Sequence, residues 1–134
     1  AASATVLALH TLMLSFATAI LRVKSYKVVN REDSAAVVKG ADVVPVESEG
    51  VLRAQRAHRN ALENVLLFFV VGALYALTSP SVTAAWIYYG VFVGTRILHS
   101  FFYLNAIQPW RTVVFGIGSA AVVGMAVHVL RAAF

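Results

Sequence analysis

Four apolar runs, each close to the length of a bilayer crossing, alternate with short polar breaks along the 134-residue chain. A hydrocarbon core of about 30 Å takes roughly 20 helical residues at about 1.5 Å each. The runs predict helices over about 5–26, 52–77, 82–104 and 111–132. Thr78-Ser79-Pro80-Ser81 interrupts a charge-free stretch between Glu63 and Arg96 that is too long for one crossing. Residues 105–109 end the third helix, and 28–50 is the one long polar stretch, expected to be a cytoplasmic loop with a short amphipathic piece. Residues 1–21 carry no charged side chain, whereas a cleavable leader would begin on basic residues; this segment reads as a retained first helix. The expected fold is all-α, a single membrane-spanning four-helix bundle.

Composition agrees with this pattern. The chain is 60% hydrophobic and 13% charged, about half the charge of a soluble domain. It has no cysteine, which removes disulfides, thiolate metal sites and a cysteine nucleophile, and no metal site is expected. The net charge of +5 comes from Lys and Arg that flank apolar runs instead of forming a continuous patch. That distribution favours a membrane-orientation signal over a nucleic-acid surface, and the positive-inside rule puts the first and third loops in the cytoplasm.

Length then forces charge into the membrane. Residues 64–78 make about 22 Å of helix and residues 82–95 about 21 Å, both too short to cross. The second helix must draw in Glu63, Asn60 and Arg59, and the third Arg96 and His99. Glu63 lies 16 residues before Ser79 and Arg96 lies 16 after Pro80, so both are expected about 24 Å from the same outer turn. Arg56, Arg59, Asn60 and Glu63 fall on one helical stripe, and Arg96, His99 and Tyr103 on another. Intramembrane charges face protein or water, so the two stripes predict a polar pocket open to the cytoplasm. His10 and His128 lack charged companions and read as structural, while Trp86, Tyr88, Tyr89 and Trp110 fit an interfacial aromatic belt.

R-A-H-R-N-A-L-E-N at 56–64, R-I-L-H-S-F-F-Y-L at 96–104, P-W-R-T at 109–112 and N-R-E-D at 30–33 occur in order across nearly the whole chain. Together they resemble the signatures of the membrane-associated proteins in eicosanoid and glutathione metabolism (MAPEG), closest to its microsomal glutathione transferase and prostaglandin E synthase branches. The resemblance implies a homotrimer of four-helix subunits, with glutathione between neighbouring subunits in a pocket open to the cytoplasm. It places glutathione contacts at Arg22, Arg56, Arg59, Asn60, Glu63, His99, Tyr103 and Arg111, and matches Thr112 and Asp33 to positions with proposed catalytic roles; the catalytic role expected of Arg111 rests on its charge beside the thiol. Ala61, Leu67 and Phe115 depart from the family's usual aspartate, proline and, in the prostaglandin branch, tyrosine.

The residues also suit glutathione chemically. Arginines hold its two carboxylates by charge-assisted bonds, Glu63 offers a partner for its ammonium, and nearby positive charge favours thiolate over thiol. The expected function is a membrane-bound glutathione transferase, with peroxidase activity, in which Arg111 activates the thiolate toward lipophilic electrophiles and lipid hydroperoxides. The expected partners are glutathione, a lipophilic co-substrate and membrane lipid. The expected location is multi-pass, in a bacterial inner membrane or a microsomal membrane, with the site facing the cytoplasm. Three alternatives are a glutathione-dependent lipid peroxide isomerase, a non-catalytic lipid-binding family member, and a small transporter or proton pathway. Phe115 weighs against the isomerase, and the presence of Arg56, Asn60, Glu63, Tyr103 and Arg111 together weighs against a degraded site.

Overall fold

The computed structural model describes all 134 residues. Five helices and two very short strands follow in the order α1 (Ala2–Ser25), β1 (Lys27–Val28), α2 (Arg31–Ala36), β2 (Asp42–Val43), α3 (Glu49–Leu77), α4 (Val82–Leu104) and α5 (Trp110–Ala133). The protein is all-helical apart from that one strand pair. Helices α1, α3 and α5 are each long and apolar enough to cross a membrane. Helix α4 has 23 residues, enough in length, but Trp86, Tyr88, Tyr89, Arg96 and His99 dilute its apolar character.

The helices meet through a narrow core. Leu7 of α1, Val65, Phe68 and Tyr75 of α3, Phe92 of α4, and Ala121 and Met125 of α5 form its centre. Helix α3 buries Val51, Ala54, Ala57, Ala61, Val65, Phe68, Gly72 and Tyr75, a three-four spacing that marks one face of a helix. Small residues on that face, and Gly118 and Ala121 on α5, let backbones approach closely. Only 23 of 134 residues are buried, while long apolar side chains such as Leu12, Met13 and Phe16 of α1 and Leu66, Leu67 and Val70 of α3 point outward. Apolar exposure on this scale is the surface of a protein solvated by lipid.

The turns are locally determined. Ser81 caps α4, its hydroxyl accepting from the Ala84 N–H at 3.2 Å. Tyr26 ends α1 in the left-handed conformation, φ 52°. The polar stretch folds more than its composition suggests. The β1 and β2 strands pair in parallel, Lys27 opposite Asp42 and Val28 opposite Val43, around a small cluster of Val28, Val38 and Ala41. Two-residue strands carry too little periodicity to be read in advance.

Gly40 closes this cap with φ 79°, and a Cβ there would lie 3.0 Å from the Tyr26 hydroxyl, which donates to the Lys39 carbonyl. Gly40→Ala is expected to destabilise the cap by about 1–2 kcal/mol, the cost of a left-handed non-glycine residue. Faster tryptic cleavage at Lys39, with the long helices intact, is the expected readout.

Two expectations need correction. Tyr88 and Tyr89 are not belt residues: both pack against the core, and the Tyr89 hydroxyl donates to the Gly72 carbonyl at 2.8 Å. Trp86 and Trp110 are exposed. The two polar stripes also do not share one interior face. Arg96 and His99 are buried within the chain, whereas Arg59 and Glu63 lie on its outer surface, and of the first stripe only Arg56, itself exposed, reaches Tyr103 of the second in one cavity. The reason is steric: α3 turns its alanines at 54, 57 and 61 inward to pack, which places the charged stripe on the opposite side.

Candidate functional site

A cavity of about 280 Å³ opens where α3, the end of α4 and the start of α5 meet, lined by Arg53, Arg56, Tyr103, Ala106, Gln108 and Arg111. Three of the expected residues, Arg56, Tyr103 and Arg111, are thereby brought together from three helices. Arg56 is carried by α3 one turn after Arg53. Tyr103 is in the last turn of α4, and Arg111 in the first turn of α5. The intervening turn, with Ala106 at φ 58° and Gln108 before Pro109, folds both onto one side.

Arg111 is held from two directions. Its guanidinium carbon lies 4.6 Å from the centre of the Tyr103 ring, a cation–π contact. The Gln108 carboxamide satisfies both its ends when its oxygen faces Arg111: it then accepts from Arg111 Nε at 3.1 Å and donates to Thr112 Oγ1 at 3.2 Å. Gln108 therefore links the two residues expected to act on a thiol. Thr112 is exposed beside the cavity and is not part of its wall.

Behind the cavity the rings and cations continue as a column. The Tyr103 ring lies edge-on to His99 at 5.7 Å, and His99 lies 5.7 Å from the Phe115 ring. Phe115 and Phe92 flank Arg96, with ring centres 5.1 and 5.3 Å from its guanidinium carbon. Arg96 is 1% exposed and touches no carboxylate. Its Nη2 donates to the Phe115 carbonyl at 3.3 Å, while Nε and Nη1 find no partner within the chain. A neighbouring polar pair, His10 Nε2 and Ser100 Oγ at 2.9 Å, ties α1 to α4.

The other expected residues lie outside the cavity wall. Arg22 Nε donates to Glu47 Oε1 at 2.7 Å, joining the end of α1 to the segment before α3. Arg59 and Glu63 are exposed and do not pair with each other. Asn60 Oδ1 is buried with no partner in the chain. Asp33 lies in α2, where its carboxylate accepts from Asn30 Nδ2 at 3.2 Å.

Four polar residues here were not anticipated: Arg53, Gln108, Glu47 and Glu49. Arg53 extends the Arg56 stripe by one turn toward the N-terminus, a signal present in the spacing. Gln108 stands three residues before Arg111, the reach of a single turn. Glu49 pairs with Arg56 at 2.7 Å and with Arg53 at 3.7 Å, at spacings of seven and four along α3.

The chain compares with known proteins over nearly its full length. The sequence pattern of the MAPEG family matches residues 1–131. Rat microsomal glutathione S-transferase 1 is 37% identical over 131 residues, covering 96% of this chain and 84% of that protein. The human microsomal glutathione S-transferase 1 is 34% identical over 134 residues, 98% and 86% of the two chains. Human prostaglandin E synthase is 28% identical over 127 residues, 94% and 82%. With its three long apolar helices and a match from end to end, the chain is an integral membrane protein and belongs to the MAPEG family.

Proposed function

We propose that this protein is a membrane-bound glutathione transferase that activates the glutathione thiolate for attack on lipophilic electrophiles and for reduction of lipid hydroperoxides. The observation that carries the reading is the meeting of Arg53, Arg56 and Arg111 with Tyr103 and Gln108 in one cavity. Three guanidiniums with no carboxylate in the wall suit a small, doubly carboxylated ligand. The identity to microsomal glutathione S-transferase 1 supports the same substrate.

The outward face of α3 supports a site completed by a second copy of the chain. Arg59 and Glu63 lie in the middle of a long helix yet point away from their own chain. Charges at that depth need a protein or aqueous partner. In the proposed homotrimer of four-span subunits, this stripe faces a neighbour, with Glu63 positioned for the ligand ammonium and Arg59 and Asn60 for its remaining polar groups. The cavity belongs to the side carrying the basic loops, which the positive-inside rule puts in the cytoplasm.

In the proposed reaction Arg111 stabilises the sulfur anion and Thr112 donates a hydrogen bond to it. A free thiol has a pKa of about 8.5, and an adjacent guanidinium lowers it. The thiolate then forms a bond to the electrophilic carbon as the leaving group departs with its electron pair. The lipid-exposed faces of the helices give an apolar co-substrate direct access. The isomerase reading is less favoured, because Phe115 stands where the prostaglandin branch of the family has a tyrosine.

Calorimetric titration of glutathione into the detergent-solubilised protein tests the proposal. Binding at micromolar to millimolar concentration, with conjugation of a chromogenic electrophile, is expected. Absence of binding would leave the lipid-binding or transport reading in its place.

A further inference from the structure

The cavity wall concentrates positive charge, and the chain supplies an anion just outside it. Arg53, Arg56 and Arg111 line the cavity with no acidic side chain among them. Glu49, in the first turn of α3, reaches back to two of the three, Arg56 Nη2 at 2.7 Å and Arg53 Nη2 at 3.7 Å. A second acid two residues earlier behaves differently. Glu47 holds Arg22, its side chain is 9% exposed, and its free oxygen is buried without a partner. The Glu49 side chain is 65% exposed. Glu47 is therefore locked in place, whereas Glu49 makes contacts of the weak, salt-screened kind typical of surfaces.

We propose that Glu49 is a displaceable counter-ion that competes with a ligand carboxylate for Arg56. The inference rests on the glutathione reading above. With no anion bound, Glu49 relieves the repulsion among clustered guanidiniums and holds Arg56 in place. A carboxylate entering the cavity competes with Glu49 for the Arg56 guanidinium, and Glu49 is free to swing out to solvent, which its exposure permits at little cost. Affinity then reflects the difference between two carboxylates on one arginine, which weakens binding of glutathione and speeds its exchange. Glu49 is thus a determinant of selectivity between carboxylate-bearing and esterified ligands, without belonging to the cavity wall.

The test is calorimetric titration of glutathione and of glutathione diethyl ester into solubilised wild type, Glu49→Gln and Glu47→Gln. Glu49→Gln is expected to bind glutathione about two- to five-fold more tightly, the size of an exposed ion pair, with no gain for the diester. Glu47→Gln is expected to lower the melting temperature without tightening glutathione binding. Unchanged or weaker glutathione binding by Glu49→Gln would overturn the proposal while leaving the glutathione site intact. Equal tightening by Glu47→Gln would also overturn it, by showing a general effect of charge in place of competition at Arg56. If neither wild type nor Glu49→Gln binds glutathione, the site reading itself fails, and the role given to Glu49 fails with it.

Discussion

Arg111→Ala is expected to slow glutathione conjugation of a chromogenic electrophile by about ten- to a hundred-fold at neutral pH, with Arg111→Lys in between. The effect begins at the thiol. Lowering its pKa by one unit from about 8.5 raises the thiolate fraction at pH 7 roughly eight-fold. Stabilisation of charge in the transition state adds to that. Lysine keeps the positive charge but loses the planar face that rests on Tyr103 at 4.6 Å and the Nε donor to Gln108, so it restores charge without position. The pH profile separates this role from a structural one. Above the free thiol pKa, glutathione ionises unaided, and the gap between wild type and Arg111→Ala should narrow. A constant deficit across pH would assign Arg111 to carboxylate binding, and an unchanged rate at neutral pH would remove it from the reaction.

The all-helical class and the family follow from features that are strong in one dimension: apolar runs of bilayer length, a proline-centred break, and four motifs in order. The polar geometry is weaker in that respect, for a physical reason. Periodicity states which residues share a face of a helix, not whether that face looks into the chain or away from it. Arg56, Arg59 and Glu63 do share a face, but the alanines opposite them at 54, 57 and 61 pack inward and set the helix rotation. The depth rule places Arg96 within the membrane, but it does not identify its surroundings, two phenylalanine rings and a carbonyl in place of an acid. Glu47 was invisible as a partner of Arg22 because that contact depends on how residues 27–48 fold back, and the small β1–β2 cap that guides this path has almost no sequence signature; the contacts of Glu49 lie within α3, at spacings of four and seven that the sequence allows without requiring them. Thr112 and Gln108 show a middle case, since a separation of four residues across a helix start allows the contact without requiring it.

Gly118→Val is expected to be strongly destabilising, costing about 3 kcal/mol or more and disturbing the site as well. A Cβ at Gly118 would fall 2.6 Å from Thr95 Oγ1, 2.7 Å from Arg96 Nη2 and 3.3 Å from Arg96 Nε. None of these atoms is the free end of a mobile chain. Thr95 Oγ1 donates to the carbonyls of Val91 and Phe92 at 2.7 and 2.9 Å, and the Arg96 guanidinium is confined between two rings. Overpacking alone costs about 1–3 kcal/mol. Displacing a buried guanidinium from its only carbonyl acceptor adds the penalty of a charge left without a partner. Because Arg96 contacts Phe115, and Phe115 contacts His99, the displacement is transmitted along the ring column toward Tyr103 and Arg111. Thermal unfolding in detergent should therefore show a large loss for Gly118→Val but little for Gly116→Val, whose new Cβ meets nothing within 4 Å. Gly118→Ala combined with Thr95→Ala, which removes the closest obstructing atom, should recover part of the loss seen in Gly118→Ala. Equal melting temperatures for the two valine variants would mean that α4 and α5 do not pack through this glycine.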